Sequence, residues 1–132
     1  MKKKLRILVA DDYEHNRNML EVALRSFGYE VATAPNGEEA INAMRNERYD
    51  FVMTDFRMPK RNGLEVARFV KTHFPTTKVI MMSADYCEKT MIKAAGVDKF
   101  FEKPFSLKEI KKFIEEESEE EKEPFCGMEW DK

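Results

Sequence analysis

The sequence predicts an α/β fold, a doubly wound (βα)5 domain built on a five-stranded parallel sheet. Three observations point there. Short apolar runs rich in β-formers alternate with segments of helical periodicity. The apolar runs are continuous rather than alternating, as in strands covered by helices on both faces. Glycine and proline stand where the helices should stop, at Gly28, Pro75 and Gly96. Right-handed crossovers then leave few topologies, and a doubly wound sheet is the expected one.

The strand runs are Leu5–Ala10, Tyr29–Ala34, Asp50–Thr54, Lys78–Met82 and Asp98–Phe101. Between them, Leu20, Ala23, Leu24 and Phe27 recur at i, i+3, i+4 and i+7, the stripe of a helix over Glu14–Phe27. Ala40, Ile41 and Met44 form a second stripe, Val66, Ala67, Val70 and Phe74 a third, and Met91, Ile92 and Ala95 a fourth. Ser106 and Glu109 have capping-box spacing ahead of Leu107, Ile110 and Ile114, which starts a fifth helix.

Composition narrows the function classes. A chain of 132 residues has single-domain length, and 42% hydrophobic with 36% charged residues excludes a disordered chain. A net charge of −2 gives no case for direct nucleic-acid or anionic-membrane binding. No run approaches the ~18 apolar residues of a membrane span. The apolar stretch of "MKKKLRILVADD" is too short for a signal peptide. Two cysteines, Cys87 and Cys126, make neither a disulfide framework nor a metal spacing, so a reducing cytoplasm is the expected setting. Glu115–Glu123 carries seven glutamates in nine residues and no apolar one, which reads as a solvated helix extension or coil. The expected division is a domain over 1–117 and an acidic tail or linker over 118–132. Pro124 should end any helix, and Phe125, Met128 and Trp130 then stand in a frayed terminus or a short docking peptide.

In an open α/β sheet, ligands bind beyond the carboxyl ends of the strands, where the strand order reverses. The first strand run is followed by Asp11 and Asp12, the third by Asp55, the fourth by Ser83 and the fifth by Lys103-Pro104. The second is followed by Ala34-Pro35-Asn36-Gly37, ordinary turn chemistry. Taken singly, each residue has a plain reading: Asp11 or Asp12 as a helix N-cap, Asp55 as a turn former, Ser83 as a cap, Lys103 as a solvated charge. Their convergence on one sheet edge from four strand ends favours a joint role. Three close carboxylates repel one another, and a hard divalent cation relieves that repulsion. Mg²⁺ takes oxygen ligands of this kind. A carboxylate beside it can attack phosphorus and form an acyl phosphate. Lys103 would give a point charge to phosphate oxygens and Ser83 a hydrogen bond.

Asp11-Asp12, Asp55, the "MPKRNG" loop, Ser83-Ala84 and Lys103-Pro104-Phe105 together resemble the response-regulator receiver domain of two-component signalling. The resemblance runs from residue 5 to about 117. It implies a flavodoxin-like sheet of order 2-1-3-4-5. It implies Asp55 as phospho-acceptor, and Asp11, Asp12, Asp55 and the backbone carbonyl of Arg57 as Mg²⁺ ligands. Lys103 would contact the phosphoryl group, Ser83 would be the switch hydroxyl and Phe100 the switch aromatic. A histidine kinase or histidine phosphotransfer protein would donate the phosphoryl group. A downstream protein target or output domain would read the face made by the fourth helix, fifth strand and fifth helix. Such a domain catalyses only its own phosphorylation and dephosphorylation.

Departures are small. Phe100 stands where many members carry Tyr, and a role as a core Phe beside Phe101 is equally open. Arg57 and Asp85, two past Asp55 and Ser83, border the path of a hydrolytic water in the family and are opposite in charge. Among rivals, a haloacid-dehalogenase-type phosphatase needs a second Asp at position 57, which is Arg. "DDYEHN" has the wrong charge for a flavin-phosphate turn. No Gly-rich dinucleotide or P-loop fingerprint occurs. His15 and His73 lack partners at metal spacing and read as surface residues. A degenerate receiver serving as a phosphorylation-independent binding module is the alternative from another class.

Overall fold

A computed structural model of the chain describes residues 4–84 and 88–122, with side chains as far as Ser118. Its elements alternate strictly: β1 (Arg6–Ala10), α1 (Glu14–Ser26), β2 (Glu30–Ala34), α2 (Gly37–Asn46), β3 (Phe51–Asp55), α3 (Gly63–His73), β4 (Lys78–Ser83), α4 (Lys89–Ala94), β5 (Lys99–Glu102) and α5 (Leu107–Lys122). The five strands pair in parallel in the order β2-β1-β3-β4-β5. This is the sheet the sequence predicts.

Period-two alternation in the strands feeds two cores. Leu8, Val52, Val79 and Met81 face α2 and α3, where Ile41, Met44, Val66 and Val70 meet them. Ile7, Val9, Met53, Ile80 and Met82 face the other way, onto Leu20 and Leu24 of α1 and Ile110 and Ile114 of α5. Both sets are buried, which is why the strand runs read as continuously apolar. Each such side chain contributes about 1.5–3 kcal/mol on burial.

Register decides where the polar residues fall. Ala10 pairs with Ala34 and with Thr54, Asp55 with Met82, and Ser83 with Glu102. Asp11, Asp55, Ser83 and Lys103 therefore reach one edge of the sheet within two residues of each other along the strands. The ladders run one residue further than the apolar pattern indicates: Asp55 and Ser83 are the last residues of β3 and β4, not the first of the loops.

The helix ends show which local signals held. Gly28 and Gly96 adopt φ of 100° and 87°, the left-handed conformation that closes α1 and α4. Neither Asp11 nor Asp12 caps α1. Its N-cap is Tyr13, with no side-chain cap bond, and Asp11 instead bonds inside the preceding loop. The side chain of Asn36 caps α2 by accepting from the Glu39 amide at 2.8 Å. A reciprocal capping box occurs at Asn62 and Glu65 of α3. At Ser106 the hydroxyl accepts from the Lys108 amide at 3.1 Å, while the Glu109 amide donates to the Ser106 carbonyl. Ser83 does not cap α4, whose N-cap is Glu88.

Two apolarity readings change. Met91 is 44% exposed, so α4 buries Ile92 and not the full stripe. The glutamate-rich stretch is helical through Lys122, and its Ser118 is buried, donating its hydroxyl to the Ile114 carbonyl. Lys78 holds Glu117 at 3.1 Å, which docks this last part of α5 on the start of β4. Among the described residues no helix is long and apolar enough to cross a membrane.

Candidate functional site

Asp11 follows β1 directly and is fully buried. Its amide donates to the Ala34 carbonyl at 3.1 Å. Its carboxylate Oδ1 accepts from the Tyr13 amide at 3.0 Å, and its carbonyl accepts from Arg17 Nη1 at 2.9 Å. Only Oδ2 has no hydrogen-bond partner. Lys103 Nζ lies 3.9 Å from it, close enough for charge attraction but beyond hydrogen-bond reach.

Asp55 ends β3, with Oδ1 accepting from the Phe56 amide at 2.9 Å and Oδ2 from Lys103 Nζ at 3.3 Å. The Phe56 amide also reaches the Met82 carbonyl, and the Phe56 carbonyl accepts from the Gly63 amide at 2.8 Å. The start of α3 therefore folds back on the strand end. A Cβ at Gly63 would stand 2.5 Å from the Asp55 carbonyl oxygen, so only glycine allows this approach. The loop between them contains Lys60 at φ 68°, a left-handed non-glycine residue.

Lys103 is brought in by the strand ladder, its amide donating to the Ser83 carbonyl at 2.8 Å. Its ammonium stands nearer to Asp55 than to Asp11. Asp12 is exposed, yet one oxygen each from Asp11, Asp12 and Asp55 lies within 4.8 Å of the others. Burial pushes the Asp55 carboxyl above its ordinary range, and Asp11 adds to the rise while Lys103 opposes it. Burial does the same to Asp11, against the Tyr13 amide and Lys103, and Asp12 raises it further. A buried and a half-buried carboxylate both held above the ordinary range make a site short of positive charge.

The donor set fits a hard divalent cation. It is all oxygen, carries three carboxylates at close range, and includes a buried carboxylate oxygen that no proton donor satisfies. Arg57 is exposed and lines a cavity of about 480 Å³ together with Asp12, Phe56, Met58, Pro59 and Asn62. Ser83 is buried at the end of β4. Phe100 is half-buried and packs against the core on the α2 and α3 side of the sheet, while Phe101 packs on the opposite side. Asp85 lies outside the described residues. His15 and His73 are exposed, His73 stacking on Phe69 with ring centroids 4.2 Å apart.

The sequence reading passed over Arg17, Gly63 and the Tyr13 amide. Arg17 had one available signal, a cation in the first turn of a helix whose dipole disfavours it. Gly63 stands in the "MPKRNG" loop, but its close approach to the Asp55 carbonyl shows only in the fold, and the Tyr13 amide bonds a carboxylate two residues back, a local turn contact that any Asp can make.

The family model for the response regulator receiver domain matches residues 7–115. A probable transcriptional regulatory protein of Picosynechococcus is 34% identical over 116 residues, covering 81% of this chain and 46% of that protein. The probable transcriptional regulator ycf27 of Pyropia yezoensis is 38% identical over 109 residues, covering 81% and 44%. The chain thus spans about half the length of these curated relatives. Among solved structures, the response regulator TrrA of Thermotoga maritima in complex with Mg²⁺–BeF superimposes with a TM-score of 0.79 at 34% identity, covering 86% of this chain and 98% of that one. Sheet order, the acidic edge and the match across nearly all of the two-core domain agree: this chain belongs to the response-regulator receiver domain family.

Proposed function

We propose that Asp55 accepts a phosphoryl group from a phosphohistidine on a histidine kinase or histidine phosphotransfer protein. A carboxylate oxygen forms the O–P bond as the N–P bond breaks, and the imidazole departs with that electron pair. The observation that carries this reading is the Lys103 ammonium between Asp55 Oδ2 and Asp11 Oδ2, beside a buried oxygen that lacks a donor. Lys103 offsets charge on the incoming phosphoryl oxygens, and the Ser83 hydroxyl hydrogen-bonds one of them. Catalysis here is positioning and charge neutralisation. Asp11, Asp12, Asp55 and the Arg57 carbonyl would hold Mg²⁺, which when bound neutralises the carboxylates and polarises the phosphoryl group. The Mg²⁺–BeF complex of TrrA supports that assignment.

The phosphoryl group draws Ser83 inward, and Phe100 turns into the space it leaves, shifting a two-state equilibrium read on α4, β5 and α5. The half-buried packing of Phe100 fits a side chain with room to move. Arg57 and Asp85 gate the water that hydrolyses the acyl phosphate. Shielding by that pair requires both Arg57→Ala and Asp85→Ala to speed hydrolysis, with the double variant non-additive, and four equal rates would rule it out. A protein partner is supported by Tyr13, Met19 and Val22, which are 60%, 44% and 69% exposed on and beside α1. Next to them lies a cavity of about 410 Å³ lined in part by Asp11, Met19, Lys103 and Phe105. The relatives named as transcriptional regulators are about twice as long, which supports the reading that any output domain lies outside residues 1–117, with 118–132, whose first residues continue α5, as the tail or linker. A cytoplasmic setting fits a phosphohistidine donor.

The test is phosphate uptake from labelled acetyl phosphate by wild type and Asp55→Asn. Uptake in wild type, dependent on Mg²⁺ and lost in a folded Asp55→Asn, is the expected result. Equal labelling of the variant rejects the assignment.

A further inference from the structure

Arg17 sits where electrostatics argue against a cation. It is the fourth residue of α1, in the turn that carries the positive end of the helix dipole. It is also close enough to the Asp11 carboxylate to lower its affinity for a proton. A cation there repels any metal bound by Asp11. What Arg17 provides instead is geometry. Its backbone amide donates to the Tyr13 carbonyl at 3.0 Å, and its Nη1 donates to the Asp11 carbonyl at 2.9 Å. Both ends of the Asp11–Tyr13 loop are thereby tied to the helix, which has no side-chain N-cap to fix it.

The polar atoms of Asp11 are held on three sides. The amide is held by Ala34, the carbonyl by Arg17 and Oδ1 by the Tyr13 amide. Oδ2 is left with no hydrogen-bond partner. We infer that Arg17 is a positioning residue for the metal site: it locks the Asp11 backbone so that Oδ2 stays turned toward the other two carboxylates. The inference rests on the metal reading above. Preorganisation of this kind lowers the cost of ordering a ligand on binding.

The two effects of Arg17 have opposite signs, which makes the inference testable. Removing the charge alone tightens Mg²⁺ binding, whereas removing the tether weakens it. Mg²⁺ affinity of the full chain, measured by titration calorimetry at fixed pH and ionic strength, is compared for wild type, Arg17→Ala, Arg17→Lys and Asp12→Ala. Metal-free thermal midpoints serve as the control for folding. The expected result is an affinity reduced about threefold or more in Arg17→Ala and partly restored in Arg17→Lys, which keeps a donor on a long stem. Unchanged or tighter binding in Arg17→Ala overturns the positioning role, as does a lowered midpoint with unchanged affinity. Should Arg17→Ala not fold, Arg17→Lys decides: a single donor in place of the guanidinium gives intermediate affinity if the tether matters and wild-type affinity if it does not. Failure of the metal reading itself is seen separately, as no Mg²⁺ binding by wild type or no effect of Asp12→Ala.

Discussion

Asp11 and Asp55 are each bonded through one carboxylate oxygen to a backbone amide that follows in the chain, and their other oxygens face Lys103. One ammonium serves a buried and a half-buried carboxylate, and a third carboxylate stands beside them. Burial raises both carboxyls above 3.8, their ordinary value. The sign of the resulting pH dependence follows by linkage. A folded-state pKa above the unfolded one means that ionisation costs folding free energy at neutral pH. That cost fades as pH falls through the folded values toward 3.8. Mg²⁺ competes with those protons, so the rise in thermal midpoint that Mg²⁺ produces should be largest at neutral pH and vanish on acidification through the same window. A Mg²⁺ effect that is constant across that window contradicts the site. Asp12→Ala should weaken Mg²⁺ at least tenfold, about 1.4 kcal/mol, while leaving the metal-free midpoint equal or higher because a like charge has gone. Undiminished affinity in Asp12→Ala removes Asp12 from the ligand set.

At the scale of elements, the β3–α3 connection controls where Asp55 points. Asn62 and Glu65 cap α3 reciprocally, and Gly63 lets the helix start against the Asp55 carbonyl. Asn62→Ala should cost about 1 kcal/mol in denaturant unfolding, the usual worth of such a cap. Gly63→Ala should cost more, about 1–3 kcal/mol, because the backbone must shift to admit the methyl group. Since the shift falls on Asp55, phosphate uptake should drop in Gly63→Ala and not in Asn62→Ala. Equal uptake in both would show that the connection supports the fold without aiming the acceptor. Asn62 and Glu65 have the same spacing as Ser106 and Glu109, yet only the first pair forms the reciprocal box. Spacing marks a helix start in both cases. It does not choose the rotamer, and at Ser106 the hydroxyl turns to Lys108. Met91 shows a related limit: an apolar stripe indicates a helix, but α4 is six residues long and buries one side chain.

At the scale of the molecule, the parallel sheet and the gathering of Asp11, Asp55, Ser83 and Lys103 were legible because parallel βα units constrain both, while the strand order came from the resemblance to the receiver family. Any strand-end residue in such a sheet reaches the same edge, so the acidic residues and the lysine could be assembled without coordinates. What stayed hidden depends on tertiary approach. Examples are the single unpaired oxygen of Asp11, the close approach of Gly63 to the Asp55 carbonyl, and the side of the sheet on which Phe100 packs. Phe100 leads to a molecule-wide prediction. Binding a phosphate mimic should change amide chemical shifts across α4, β5 and the first part of α5, from about Met91 to Lys112. Changes confined to the neighbours of Asp11 and Asp55 would leave phosphorylation in place and remove Phe100 from the switch.

The central claim is that a phosphoryl group attaches to Asp55 and nowhere else. Borohydride reduces an acyl phosphate of aspartate to homoserine, which peptide mass spectrometry locates in the chain. After treatment with acetyl phosphate and Mg²⁺, followed by reduction, homoserine should stand at position 55 alone and be missing when Mg²⁺ is chelated. Homoserine at position 11 or 12, or at 55 regardless of Mg²⁺, contradicts the account.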